Sequence, residues 1–245
     1  QCVPVAEAYL TSAVHSNEAD LARCVKLVRP KGGPVVDIGC GAGHTAFAFA
    51  PVCERVVAVD PTPEMLRIVD RESKARGLNN VETLLATAES MPLNSGSFEG
   101  ATCRLAAHHF LNTNAFLVET ARVLRPGGWL LLVDTIGIED PEADEELDRI
   151  ERQRDPSHVR CLTLDRWNEL MQNSGFEIRH CESHAFPQNA VHWLDRMKVE
   201  EPARSSVLAQ IANSKGWLRE YFRPTGEGDL LTFRLHQGTI VAVRR

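Results

Sequence analysis

Residues 35–46 read Val-Val-Asp-Ile-Gly-Cys-Gly-Ala-Gly-His-Thr-Ala, and no other stretch restricts the fold of this chain as much. A short apolar strand runs into Gly39, Gly41 and Gly43, which lack a Cβ and let the backbone turn sharply and lie close against a ligand. A helical pattern follows, and a helix starting near Gly43 would point free N–H groups at that ligand. Asp37 adds a carboxylate at the expected rim of the turn.

The glycines alone leave two ligand classes open. Read as Gly41-Ala42-Gly43-His44-Thr45-Ala46, the run satisfies the dinucleotide fingerprint. The carboxylates separate the two. A negative group at the turn repels a pyrophosphate, whereas Asp37 suits an ammonium such as the amino-acid end of S-adenosylmethionine (SAM). Asp60 closes the next apolar run and can accept hydrogen bonds from vicinal ribose hydroxyls. Two acids bracketing one strand-turn-helix-strand unit favour SAM over a nicotinamide or flavin dinucleotide, and over a tight turn with no ligand.

Around this unit, strand and helix patterns alternate, which predicts an α/β fold with a mostly parallel seven-stranded sheet and helices on both faces. Strands are expected at 35–38, 55–60, 81–85, 98–105, 129–134, 176–181 and 230–244, the last bent or bulged near Gln237-Gly238. Helices are expected from a cap at Ser16 or Asn17 to Val28, and over 45–50, 63–76, 114–124, 139–154 and 165–173. In the helix over 139–154, acidic residues cluster early and arginines late, the pattern of a solvated face. Residues 185–228 read as a helical lid insertion whose aromatics form mostly its own core, and a short amphipathic helix is possible within Val5–Val14. Residues 1–245 thus form a single domain, with residues 1–17 as an N-terminal flap. Right-handed crossovers would bring the glycine turn and the ends of the next strands to one edge, the usual ligand edge of such sheets.

The block around Asp37 resembles motif I of the class I, Rossmann-like SAM-dependent methyltransferases, type-11 group, which includes the ubiquinone/menaquinone C-methyltransferases. Further segments agree in order: Val56-Val57-Ala58-Val59-Asp60-Pro61, Ala86-Thr87-Ala88-Glu89-Ser90-Met91-Pro92, Cys103-Arg104-Leu105-Ala106-Ala107-His108-His109-Phe110 and Leu124-Arg125-Pro126-Gly127-Gly128. The likeness covers roughly residues 20–135, and Arg154-Asp155-Pro156-Ser157-His158-Val159-Arg160 is similar to a bacterial-type subgroup. It implies SAM as cofactor and S-adenosylhomocysteine as product. Asp37, Gly39, Cys40 and Gly41 would meet the methionine end, and His44 would touch it or only cap the helix. Asp60 would take the ribose, with Pro61 and Met65 against the adenine unless Met65 is plain core. Many relatives carry Asp just before the Ala after strand three; here that position is Thr87, which shifts the adenine contact to Thr87, Ala88 or Glu89. Arg104 would reach the cofactor carboxylate or line the site with its backbone alone.

On the acceptor side, His108 and His109 follow strand four, where an imidazole could take a proton near neutral pH or simply hold the loop. His158 and Arg160 are candidates for substrate binding, the plain alternative being a surface ion pair with Asp155. The expected acceptor is a small molecule, flat or apolar, methylated on O, C, N or S. The alternatives are an RNA or protein methyltransferase, or a SAM-binding protein that transfers nothing. A net charge of −6 and the lack of an Asn/Asp-Pro-Pro-Tyr sequence after strand four argue against nucleic acid. Seven scattered cysteines without a C-x-x-C pair, no membrane-spanning run and no signal-peptide pattern lead us to expect a cytoplasmic monomer or homodimer without a metal.

Overall fold

The computed structural model describes residues 16–245, so the expected flap helix within 5–14 lies outside the described residues. Seven strands form one sheet in the order β3-β2-β1-β4-β5-β7-β6: β1 Val35–Ile38, β2 Val56–Asp60, β3 Val81–Leu85, β4 Phe98–Arg104, β5 Leu124–Thr135, β6 Phe176–Asn189 and β7 Thr232–Arg244. The first five pair parallel, and β7 runs antiparallel between β5 and β6. Every residue of β1, β2 and β4 is buried, which explains their near-continuous apolar sequence: central parallel strands are covered on both faces.

Nine α-helices are present among the described residues: α1 Glu18–Val28, α2 His44–Phe49, α3 Pro63–Ala75, α4 Thr113–Val123, α5 Pro141–Arg154, α6 Leu164–Asn173, α7 Ala190–Asp195, α8 Ala203–Ala212 and α9 Gly216–Phe222. Caps fix several boundaries. The Asn17 side chain accepts from the amides of Ala19 and Asp20 at the start of α1, and Asp140 accepts from Ala143 at the start of α5. One apolar cluster packs Phe116, Leu117, Trp167 and Met171 on one face of the sheet; a second sets Phe47, Phe49 and Val69 against the other.

Three expectations need correction. Strand β6 continues to Asn189, so residues 185–189 are sheet rather than helix, and the helices between β6 and β7 are α7–α9. The irregular register lies in β6 between Ile178 and His180, while β7 pairs without interruption through Gln237-Gly238. The third correction is the largest. Helix α5 is not a solvated face, because Asp144, Asp148 and Glu151 are all buried. Leu147 and Ile150 of α5 join Trp193, Leu194, Val207, Ile211, Leu218, Tyr221 and Phe222 in a third apolar cluster, so α5 and α7–α9 pack as one unit beyond the end of β5. Trp217 lies outside that cluster, 63% exposed.

Candidate functional site

The strand order reverses between β2-β1 and β4-β5, and three cavities open where these strands end, the switch point at which open α/β sheets take ligands. The glycine turn forms the floor. Gly39, Gly41 and Gly43 all have positive φ (68°, 51° and 89°), which a side chain disfavours. At Gly39 a Cβ would also meet the Ala106 Cβ at 2.6 Å, whereas at Gly41 it would meet nothing, because that residue faces open space. The amides of Gly39 and Cys40 both donate to the Val59 carbonyl, at 2.8 and 3.0 Å, fastening the turn to β2.

The first cavity, about 320 Å³, is large enough for a cofactor-sized ligand. Its walls are Gly39, Gly41, Asp60, Pro61, Thr62 and Met65 on one side, Ala86 to Glu89 on the next, and Leu105, Ala106, His109, Phe110, Leu111 and Ser157 on the last. Asp60 is held in place by two backbone donors, Gly41 N–H at 3.0 Å and Thr62 N–H at 2.9 Å, one to each oxygen. Burial raises the Asp60 pKa, and those two amides and a hydrogen bond from the Thr62 side chain oppose the shift. Among the described residues, the wall contains two carboxylates, Asp60 and Glu89, and neither Lys nor Arg. An apolar slot with a fixed carboxylate suits a nucleoside, a flat base with a ribose diol, and does not suit a pyrophosphate.

The second cavity, about 40 Å³, is lined by Gly39, Cys40, Gly41, Ala42, His44, Thr45, Arg104 and Leu105. It extends the first across the glycine turn. Arg104 is buried, which lowers its pKa; the charges of Cys24, Asp20 and Asp37 act the other way.

Asp37 lines neither cavity. It is 1% exposed and sits beneath the turn, where Oδ1 accepts from the Thr102 hydroxyl at 2.7 Å and Oδ2 from the Ala46 amide at 3.1 Å. Burial pushes its pKa up to about 6 against those hydrogen bonds. Of the two acids that bracket the turn, the one that reaches the cavity wall is therefore Asp60, while Asp37 ties β1 to β4 and to the first turn of α2.

The third cavity, about 80 Å³, lies between the sheet edge and the helical unit. His108 and His109 stand on its sheet side, in a 3-10 turn at 107–109, with ring centroids 4.1 Å apart; His158 stacks 5.7 Å from His108. Asp134, at the end of β5, grips His108 twice, accepting its amide at 2.9 Å and its ring Nδ1 at 2.6 Å. Burial would lower the His108 pKa, but the charge and hydrogen bond of Asp134 outweigh it and leave the pKa raised above 6.5. For His109 burial wins, helped by the neighbouring charge of His108, and its pKa falls to about 4. Its Nδ1 lies 3.0 Å from the Ser157 carbonyl.

His158 is also on this wall, but its partner is Asp148 of α5, 2.7 Å from Nε2, and not Asp155. Arg160 is not. Its guanidinium pairs with Asp144 at 2.6 Å and faces a different, open groove. Trp193 of α7 and Phe186 of β6 face the cavity, whereas Tyr221 donates to the Ile136 carbonyl at 2.7 Å within the helical core. The cavity also exposes Glu151, Arg154, Asp155, Gln188 and Arg196, so it is more polar than the lid aromatics suggested.

Sequence reasoning missed Asp134, although a signal was present: like Asp60, it closes an apolar strand run. It also missed Leu105, which no pattern marks. Leu105 has φ 55°, costly for a branched side chain, and among the described residues it is the one that all three cavities share. His109 borders the first and the third.

A family model described as "Methyltransferase domain" matches residues 36–132. The chain is 32% identical over 243 residues to the uncharacterized methyltransferase YcgJ of Bacillus subtilis (strain 168), covering 98% of this chain and 96% of that protein. The crystal structure of YcgJ superposes with a TM-score of 0.89 over 93% of this chain and 98% of that one. A Bacillus halodurans C-125 structure named as a methyltransferase gives 0.87 at 32% identity, over 92% of this chain and 98% of that one. The ubiquinone/menaquinone biosynthesis C-methyltransferase UbiE of Rubrivivax gelatinosus is 32% identical over 113 residues, 46% of this chain and 43% of that protein.

Proposed function

Because the chain belongs to the class I SAM-dependent methyltransferases of the type-11 group, we propose that it methylates a small-molecule acceptor seated in the third cavity, giving S-adenosylhomocysteine. The observation carrying this reading is that the first and third cavities share Leu105 and His109 as a common wall. A donor on one side of that wall and an acceptor on the other would meet at it.

When bound, SAM supplies a methyl group on a sulfonium, which makes departure as a thioether easy. The protein's part is to bind, orient and exclude water. Asp60 accepts the ribose hydroxyls. Pro61, Met65 and Ala88 supply the apolar slot for the base, with Thr87 and Glu89 as its polar partners. Gly39, Cys40, Gly41, His44 and Arg104 surround the methionine end, and Asp37 positions the turn from below.

On the acceptor side, Asp134 holds His108 through Nδ1, which leaves Nε2 for the cavity that the ring lines. His108 then accepts the proton of the attacking group, and Asp134 stabilises the imidazolium that forms. His109, with its pKa near 4, stays neutral at the shared wall and shapes it. His158 holds the loop against α5, and Arg160 braces that loop from outside.

The test is transfer of tritium from methyl-labelled SAM to fractions of a bacterial extract. Label in the small-molecule fraction supports the reading; label confined to RNA or protein, or none anywhere despite SAM binding, overturns it. Turnover with the recovered acceptor should rise with pH through a value above 6.5, as His108 loses its proton, and the His108→Asn variant should lose both that step and about 10²-fold or more in rate.

A further inference from the structure

The helical wall of the third cavity carries two arginines, the last residue of α5 and the residue that follows α7. Arg154 lies with its guanidinium carbon 4.5 Å above the Trp193 ring and an Nη 3.4 Å from Glu151. Arg196 donates through Nη2 to the side-chain oxygen of Gln188 at 2.9 Å, a neutral amide rather than a carboxylate. Arg154, Glu151, Arg196 and Gln188 all line the cavity. Burial lowers the Arg196 pKa, the like charge of Arg154 lowers it further, and Glu151 offsets this in part. Arg154 is thus matched by Glu151 and by the charge of Asp155, whereas the hydrogen-bond partner of Arg196 among the described residues is the neutral Gln188 amide. A half-buried cation with only a neutral partner is costly until an anion meets it.

We propose that Arg196, backed by Arg154, is a carboxylate-binding position, so that the methyl acceptor is a small organic acid. This rests on the third cavity being the acceptor site. Arg196 faces the cavity with a neutral amide as its partner, so a carboxylate there would meet an unmatched guanidinium, whose fork matches its two oxygens. A dianionic phosphate fits less well, because Glu151 and Asp155 stand on the same small wall. The arginines are on the helical side and His108 on the sheet side. An acid anchored at Arg196 would therefore present its other end, over Trp193, Phe186 and Leu235, to the histidine and the shared wall.

The probes are benzoate and benzamide, equal in shape and differing in charge, titrated calorimetrically into protein saturated with S-adenosylhomocysteine. Benzoate should bind at least tenfold more tightly than benzamide. The Arg196→Gln variant should lose at least tenfold in benzoate affinity and leave benzamide and S-adenosylhomocysteine affinities in place, and Arg196→Lys should recover part of the loss. Equal binding of the two probes, no benzoate binding, or an unchanged benzoate affinity in Arg196→Gln overturns the assignment; the comparison on the unmodified protein stands even if the variant fails to fold. Failure of S-adenosylhomocysteine to bind overturns the underlying reading itself.

Discussion

The two halves of the proposed site are built by different means. The donor half, around Gly39 to Gly43 and Asp60, is mostly backbone: a glycine turn fastened to Val59, one carboxylate held by two amides, and an apolar slot. The acceptor half is mostly paired side chains: Asp134 with His108 and Asp148 with His158 join separate segments, and Glu151 pairs with Arg154 within α5. Backbone geometry written in twelve consecutive residues specifies a ligand common to a family. A network of paired charges can be rewired one residue at a time, which suits a pocket whose ligand differs between relatives.

The contrast can be broken at Asp148. Its Oδ1 takes both the His158 ring nitrogen, at 2.7 Å, and the Cys161 amide, at 3.0 Å, in the buried interior. Asp148→Ala strands two buried donors, each worth about 1–3 kcal/mol, so denaturant unfolding should show a loss of about 2–6 kcal/mol. Asp148→Asn keeps one acceptor oxygen and should recover a good part. Affinity for SAM should hold in both variants wherever they remain folded. A large loss of SAM affinity in the folded Asn variant would mean that the halves are not separately built.

Asp60→Ala is the complementary cut. Hydrogen bonds to a charged carboxylate contribute about 1.5–3 kcal/mol each, so losing two from a ribose should weaken SAM about 100-fold or more by calorimetry. Stability should change little, because the freed amides of Gly41 and Thr62 can turn to water in the cavity. Unchanged affinity would remove Asp60 from the donor site.

The halves also respond to pH with opposite sign. Asp37 has a folded pKa near 6, above its ordinary 3.8, so the fold holds that proton more tightly than the unfolded chain does. Its contribution is full below about pH 4 and is lost as pH rises through 6. His109 has a folded pKa near 4, below its ordinary 6.5, so its contribution grows as pH rises from about 4 to 6.5. Each slope amounts to about 1–3 kcal/mol over that window. Unfolding free energies measured from pH 4 to 7 should therefore rise more steeply with pH in Asp37→Asn than in the native chain, and less steeply in His109→Asn. Parallel curves for all three proteins would refute both assignments.

How much of this was legible in the sequence follows the same division. The glycine turn, Asp60 and the seven strands could be read because each is a local pattern, apolar runs of the right length punctuated by Gly, Pro and Asp. The placement of Asp37 was misread, since a strand-ending acid looks alike whether it faces a ligand or turns under the loop to Thr102. Helix α5 was misread more deeply. Its acids resemble a solvated face, and only the return of the chain through His158, Arg160 and Cys161 shows what covers them. Arg196 and Gln188 had no local signal at all, because their pairing depends on how α7 seats against the end of β6.

The smallest expected effect falls where the halves meet. Leu105 holds φ 55°, its amide donating to the Val133 carbonyl at 2.7 Å, and a left-handed conformation costs a branched residue about 1–2 kcal/mol. Leu105→Gly relieves that cost but gives up a half-buried side chain and frees the unfolded backbone, effects of similar size and opposite sign. The melting temperature should move by only a few degrees. S-adenosylhomocysteine affinity should also hold, since Asp60 and the glycine turn are untouched. What the substitution removes is the side chain bordering all three cavities, and with it the close apposition of donor and acceptor on which orientation depends. Methyl transfer should then slow several-fold at saturating SAM and acceptor. An unaltered rate would show that the strained leucine is a folding compromise and that His109 alone divides the two compartments.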